Sequence, residues 1–288
     1  MTEIYLFLTH LQSEDLVPGT LATYRANLLL FGQWLIENGL TVTTLSQSDL
    51  RDYKNQLKER YKPATINIKL ACISLLLRWC LEGGLIPNNP MTKIKFVKTE
   101  KYSKWLTVEQ VSLITQAAQK AIEDAKTKEL NFSLTVAIRM QTIAIFLLNT
   151  GLRVSELCDL RLSDVKNGVV TVRWGKGGKR REVPLNSQAQ AAIGEWLKFR
   201  SDDSDYVFVT KGRMTRQLVQ FHLSELGRKL GFRLTPHLLR HTFGKRLADK
   251  NIPLDRIAKL MGHSDINTTA IYTMPSLEDL RQVVKLLD

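Results

Sequence analysis

What the 288 residues lack narrows the field first. No stretch approaches the ~18–20 consecutive apolar residues that a membrane span requires. The opening MTEIYLFLTHLQSEDL is interrupted by Glu3, His10 and Glu14 and has no basic leading region, so it does not read as a signal peptide. A cytoplasmic protein with no membrane partner is the expectation. Cysteine is scarce: Cys72, Cys80 and Cys158 are an odd number in apolar surroundings with no CxxC pair, which predicts buried thiols rather than a disulfide or zinc framework. Acidic residues run short, 28 Asp+Glu against 41 Lys+Arg, for a formal net charge of +13. Neither a carboxylate cluster with Mg²⁺ spacing nor a P-loop occurs, so no metal and no nucleotide cofactor is expected. Internal repeats and low-complexity segments are missing too. With 44% hydrophobic residues the chain is too apolar for a disordered basic tail and long enough for one or two globular domains. So basic a folded protein has nucleic acid or an anionic membrane as its commonest partner.

The charge is uneven along the chain. Residues 1–100 carry 11 Lys+Arg against 9 Asp+Glu, and residues 101–288 carry 30 against 19, so most of the excess lies in the C-terminal two thirds. The first hundred residues read as three or four helices. Leu21, Tyr24, Leu28, Phe31 and Leu35 share one helical face, as do Ile66, Leu70, Ile73, Leu77 and Leu81. Pro63 suits a first turn, Gly83-Gly84 a stop, and Ser46 with Asp49 opens a further helix through Leu50, Tyr53 and Leu57. The division expected is a helical bundle over 1–85, an extended basic linker over 86–105 with Pro87, Pro90 and five lysines, and a second domain over 106–288. In the second domain Thr107 and Gln110 form a helix cap, followed by two helical stretches over 108–125 and 133–149. GVVTVRW (168–174) and KRREVPL (179–185) form a hairpin around GKGG, and helical periodicity returns at 187–199, 214–230, 237–250, 253–261 and 277–287. The class is mainly α with a small antiparallel β-sheet.

Several polar residues stand where packing does not require them. Arg153 follows the apolar AIFLLNTG, and Gly151 permits close backbone approach there. Thr235 and Pro236 open a helix that carries His237 and Arg240 three apart on one face, able to reach a single anion, with His241 in the same opening turns. His263 follows Gly262 at a helix end, and Tyr272 lies nine residues on. Taken singly, each is also what a solvated helix face or a half-buried tyrosine would give.

In order they say more. GLRVSEL (151–157), GKGGKRREVPL (175–185), HLLRHTF (237–243), LMGHSD (260–265) and NTTAIYT (267–273) resemble the tyrosine recombinase (phage integrase) family across essentially the whole chain. The resemblance implies an N-terminal helical core-binding domain and a C-terminal mixed α/β catalytic domain. It makes Arg153, Lys176, His237, Arg240 and His263 catalytic, Tyr272 the nucleophile, and Glu156 the acidic residue that orients them. The implied partner is double-stranded DNA with inverted core-binding sites, bound by a homotetramer linked through the terminal helix 277–287, with accessory DNA-binding proteins as further candidates. The two-domain layout is closer to Xer-like recombinases and to transposon and plasmid resolvases than to lambda-type integrases. A type IB topoisomerase-like relaxing enzyme and an inactive DNA-binding regulator are the alternatives.

The residue types suit that chemistry independently. Attack on a phosphodiester loads negative charge on equatorial oxygens, which planar guanidinium forks bind bidentately. A tyrosine with a pKa of about 10 needs a base and nearby cations. His237 is expected to take its proton, His263 to bond a non-bridging oxygen, and Lys176 to protonate the departing 5′-oxygen. Arg173, Lys179, Arg180 and Arg181, with Lys176 and no acid between 173 and 181, are expected to track DNA phosphates. Lys211, Arg213, Arg216, Arg228, Lys229, Lys245 and Arg246 extend that surface, while Lys58, Arg60, Lys62 and Lys69 offer a second DNA face.

Overall fold

A computed structural model describes residues 1–14, 16, 18–99, 105–129, 131–173, 180–263, 265–273 and 284, the side chains of Asn131 and Phe132 excepted. The chain divides into two compact units, Met1–Lys101 and Tyr102–Asp288.

The first unit is a bundle of α1 (Thr2–Ser13), α2 (Pro18–Glu37), α3 (Gln47–Arg60) and α4 (Pro63–Glu82). Local chemistry starts α3: Ser46 accepts from the Asp49 N–H while Asp49 accepts from the Ser46 N–H, satisfying two donors that the first turn would leave orphaned. Leu28, Phe31 and Leu35 meet Leu50, Tyr53, Leu57, Ile66, Leu70, Ile73 and Leu77 in one core, with Ile4, Phe7, Leu8 and Leu11 of α1 closing a side. Leu81, expected on the buried face, is exposed, because α4 ends one residue later at the edge of the core.

The stretch expected as a linker, 86–105, is corrected over its described part. Ile86, Met91 and Ile94 are buried in the first core. The Asn67 side-chain amide donates to the Val97 carbonyl and accepts from the Val97 N–H, both at 2.8 Å, as a neighbouring strand would. Residues 86–99 therefore belong to the first unit: three irregularly spaced apolar anchors outweigh the lysines. Lys69 is corrected as well, being buried against Asn27 and the Tyr61 ring rather than facing solvent.

In the second unit, α5 (Val108–Thr127) and α6 (Asn131–Thr150) lead to the short α7 (Val154–Cys158). A three-stranded antiparallel sheet follows, β1 (Val165–Lys166), β2 (Val169–Val172) and β3 (Arg181–Pro184), in the order β1-β2-β3 with Val170 opposite Val183. The hairpin read from the sequence is β2–β3; β1 is an edge strand of two residues, too short to show a pattern. Then come α8 (Ser187–Phe199), α9 (Arg216–Leu230), α10 (Pro236–Ala248), α11 (Leu254–Met261), α12 (Asn267–Ala270) and a 3₁₀ turn (Ile271–Thr273). Ile143, Phe146 and Leu147 of α6 form the middle of this core with Val170, Val183, Trp196 and Phe208. The terminal helix expected over 277–287 lies outside the described residues except for Val284, which is exposed.

Two helices, Pro63–Glu82 and Ser133–Thr150, are long and apolar enough by length and composition to cross a membrane, against the expectation of no such run. Their apolar residues supply the two cores just described. The three cysteines are buried free thiols, and burial pushes Cys80 and Cys158 up to about 11.

Candidate active site

The site gathers around the C-terminus of α11. Gly262 ends this helix in the left-handed region (φ 66°), and the His263 N–H returns to the Ala258 carbonyl at 3.0 Å. The last carbonyls of a helix carry its negative dipole end and lack partners within the helix. Here three arginines supply them. Arg181 Nε donates to the Leu260 carbonyl (2.9 Å), Arg240 Nη2 to Met261 (2.7 Å) and Arg153 Nη2 to Gly262 (2.9 Å).

Each arginine arrives from a different element. Arg153 is the N-cap of α7, placed by Gly151, whose φ of 61° turns the chain out of α6. A side chain at Gly151 would also strike the Phe243 ring, so the turn requires glycine twice over. Arg240 sits on α10, a helix set by the Thr235 cap and Pro236, and its second bond reaches back to the Gly151 carbonyl. Arg240 is buried, and burial together with Arg153 pushes its pKa down to about 10. Glu156, one turn into α7, accepts from the Arg153 backbone N–H and Nη1 and from both terminal nitrogens of Arg181. Burial raises its carboxyl, and the bonds from Arg181 and Arg153 outweigh that and hold it below the ordinary range. Three guanidiniums against one carboxylate leave a net of about two positive charges, a field that attracts an anion.

Tyr272 closes the site from the 3₁₀ turn after α12. It is 1% exposed and lies in a small apolar cluster with Phe243, Ile257 and Met261. Gly244 makes this possible, since a Cβ there would stand 2.6 Å from the phenol ring. The Tyr272 hydroxyl is hydrogen-bonded to His241 Nδ1 at 2.8 Å, and His241 Nε2 to His237 Nε2 at 2.8 Å. His263 is tied through Nδ1 to the Thr269 hydroxyl at 2.8 Å, and its ring stacks beside Tyr272. Burial pushes Tyr272 up to about 12, against the pull of Arg240 and Arg153. Burial and the neighbouring cations push His241 and His263 down to about 4, and burial and Arg240 lower His237 as well. The imidazoles are therefore neutral at pH 7, as proton acceptors must be.

The structure thus brings together Arg153, Glu156, His237, Arg240, His263 and Tyr272. Lys176 and Lys179 lie outside the described residues. The expectation that His237 meets the tyrosine directly is corrected: His241 stands between them. His241 was legible only as the residue four beyond His237, hence on the same helix face. Arg181 is corrected from a phosphate-tracking cation to a partner of Glu156 and Leu260 with its side chain 9% exposed and Nε, Nη1 and Nη2 all engaged inside the protein. Lys245 is likewise buried, paired with Asp249 over the Trp105 ring. Arg180 is exposed beside Glu182, while Arg173 is half-exposed and held by Asp164 and Ser163.

Two arginines, a set of neutral histidines and a tyrosine converging in a mainly helical domain define a class, the enzymes that break and rejoin DNA through a tyrosine. The chain belongs to the phage integrase family of tyrosine recombinases: residues 104–278 match the Phage integrase family and residues 4–83 the N-terminal SAM-like domain of phage integrases. It is similar to tyrosine recombinase XerA of Pyrococcus furiosus, 31% identical over 286 residues covering 97% of this chain and 91% of the relative. It is also similar to tyrosine recombinase XerD of Rhizobium meliloti, 32% identical over 279 residues covering 92% and 88%. Its fold is like that of the Tn1549 transposon integrase in complex with circular intermediate DNA, with a TM-score of 0.77 and 21% identity over 98% of each chain. The protein is a tyrosine recombinase, a DNA-binding enzyme of site-specific recombination.

Proposed function

We propose that the chain exchanges strands between two duplex sites with inverted core-binding elements through a 3′-phosphotyrosyl intermediate and a Holliday junction, in integration or resolution of a mobile element or replicon. The working form is a homotetramer on DNA linked through residues 277–287, acting in the cytoplasm without metal or cofactor and open to accessory DNA-binding proteins. The observation that carries this reading is the arrival of Arg153, of His237 with Arg240, of His263 and of Tyr272 from separate segments around the end of one helix.

In the step proposed, Arg153 and Arg240 hold the non-bridging oxygens of the scissile phosphate, and His263, fixed through Nδ1, bonds one of them through Nε2. Tyr272 Oη forms a bond to phosphorus as the bond from phosphorus to the 5′-oxygen breaks, and Lys176 gives that oxygen its proton. A tyrosine 1% exposed cannot touch a duplex, so its cover opens before attack while its hydroxyl stays on His241. Exposure removes the burial that raises the phenol and leaves the arginine charges that lower it. The phenol proton passes to His241 Nδ1 while the His241 Nε2 proton passes to His237 Nε2, at the exposed end of the pair. The phosphotyrosyl bond conserves the energy of the phosphodiester, and a second strand's 5′-hydroxyl reverses the step.

A nicked suicide duplex tests the reading. The native chain accumulates a covalent adduct in denaturing gels, and Tyr272→Phe binds the same duplex without forming one. His241→Ala slows single-turnover cleavage by about 10²-fold, within the usual range for proton-transfer groups, and shifts its pH profile. An adduct in Tyr272→Phe overturns the nucleophile, and a native rate and profile in His241→Ala overturn the relay.

A further inference from the structure

Helices α5, α6 and α9 enclose a second feature, a cavity of about 830 Å³ whose walls include Ala118, Ala121, Met140 and Leu226. Arg139, His222 and the exposed Lys211 and Lys229 also line it, and none of the residues around the tyrosine does. Its size and apolar walls are those of a small-molecule site. Arg139 makes it unusual. The residue is 7% exposed, its Nη1 donates to the Val209 carbonyl at 2.7 Å, and its Nε–H has no acceptor among the described residues. The buried carboxylates elsewhere in this unit are each met by arginine, Glu156 by Arg153 and Arg181 and Asp164 by Arg173. Arg139 has the converse arrangement, a buried cation with no carboxylate within ion-pair reach among the described residues. Burial accordingly lowers its pKa with no anion opposing it. Glu225 also lines the cavity, but its carboxylate is taken by Arg228 at 2.9 Å.

An isolated buried charge is costly, and an unmet donor beside it adds to the cost. The missing complement of Arg139 is a negative charge. A phosphate or nucleotide would set a polar body against alanine, methionine and leucine. His222, lowered by burial and by Arg139, is neutral at pH 7 and offers a hydrogen bond rather than a further cation. We propose that this cavity binds an amphipathic monocarboxylate, with the carboxylate at Arg139 and the apolar chain along Ala118, Ala121, Met140 and Leu226. The site is separate from the strand-transfer chemistry and stands whether or not the recombination reading does.

Octanoate and 1-octanol share a chain and differ in charge, so their competition against 1-anilinonaphthalene-8-sulfonate fluorescence on the full chain separates the guanidinium from the walls. Octanoate displaces the probe at least tenfold more tightly than 1-octanol. Arg139→Met, with helicity checked by circular dichroism, erases that preference. Ala121→Trp, at an exposed position on the cavity wall with Arg139 intact, removes binding of both. Equal competition by acid and alcohol on the native chain overturns the proposal. Octanoate binding unchanged in Ala121→Trp, or a preference that survives in Arg139→Met, overturns it as well.

Discussion

Glu156 decides the charge balance of the site. It is nearly fully buried, and its two oxygens take four hydrogen bonds, two from Arg153 and two from Arg181. Removing one partner of a buried ion pair costs more than removing both, because the survivor is left charged and unpaired. Glu156→Gln keeps the shape and removes the charge, leaving Arg153, Arg181 and Arg240 with no carboxylate among them. The expected loss is about 3 kcal/mol of unfolding free energy, read as a lower urea midpoint. Adding Arg181→Met recovers part of it, since the uncompensated charge then has one fewer source. A Glu156→Gln midpoint equal to the native one would show that the carboxylate only orients the arginines. Gly151 is a second such point, with its positive φ and its contact with Phe243. Gly151→Ala imposes strain and overlap together and lowers stability by about 2–4 kcal/mol, again on the urea curve. Cleavage falls with it, because the Gly151 carbonyl holds Arg240.

At the scale of elements, α11 is the organiser: its last carbonyls meet Arg181 and Arg240, and its cap Gly262 meets Arg153 and delivers His263. Gly262→Ala adds a Cβ within 2.8 Å of the Arg181 guanidinium at a left-handed position, which costs about 1–2 kcal/mol. Cleavage of a suicide duplex should fall further than stability does, because Arg153 shares the same carbonyl row. How much of this was legible in the sequence follows from the range of the forces. The Ser46–Asp49, Thr107–Gln110 and Thr235–Pro236 helix starts are set by neighbours within three residues, and all stand where the sequence puts them. The motif residues Arg153, His237, Arg240, His263 and Tyr272 also meet as the ordered motifs imply. What could not be read depends on distant contacts. Nothing local distinguishes Arg181, held on Glu156, from Arg180, exposed one residue earlier. Lys69 and Lys245 count as surface charge by composition and are buried. α7 and β1 are too short for any periodicity, and the anchoring of 86–99 rests on Asn67 and scattered apolar residues rather than on a pattern.

For the whole molecule, the +13 divides into cations that meet DNA and cations that hold the fold, and salt separates them. Each phosphate contact removed flattens the plot of log affinity against log salt by about 0.9. Arg180→Ala is expected to do that with little effect on stability, whereas Arg181→Ala leaves the slope alone and lowers the urea midpoint. Proton concentration gives the complementary test. His241 and His263 have folded values of about 4, below the ordinary histidine range, so between about 6.5 and 4 the unfolded chain takes up protons that the folded chain refuses. Their contribution to stability is complete above about pH 6.5, is lost progressively as pH falls, and is gone below about 4. Glu156, held low by its arginines, acts in the same direction at still lower pH. Because both rings are partly exposed, solvent screening reduces the effect to about 1 kcal/mol for each. The urea midpoint should therefore drop between pH 7 and pH 5, and His241→Asn, which has no proton to take up, should shrink that drop by about half. A midpoint that rises on acidification, or a drop unchanged in His241→Asn, would mean that the imidazole between Tyr272 and His237 is not held neutral by its surroundings.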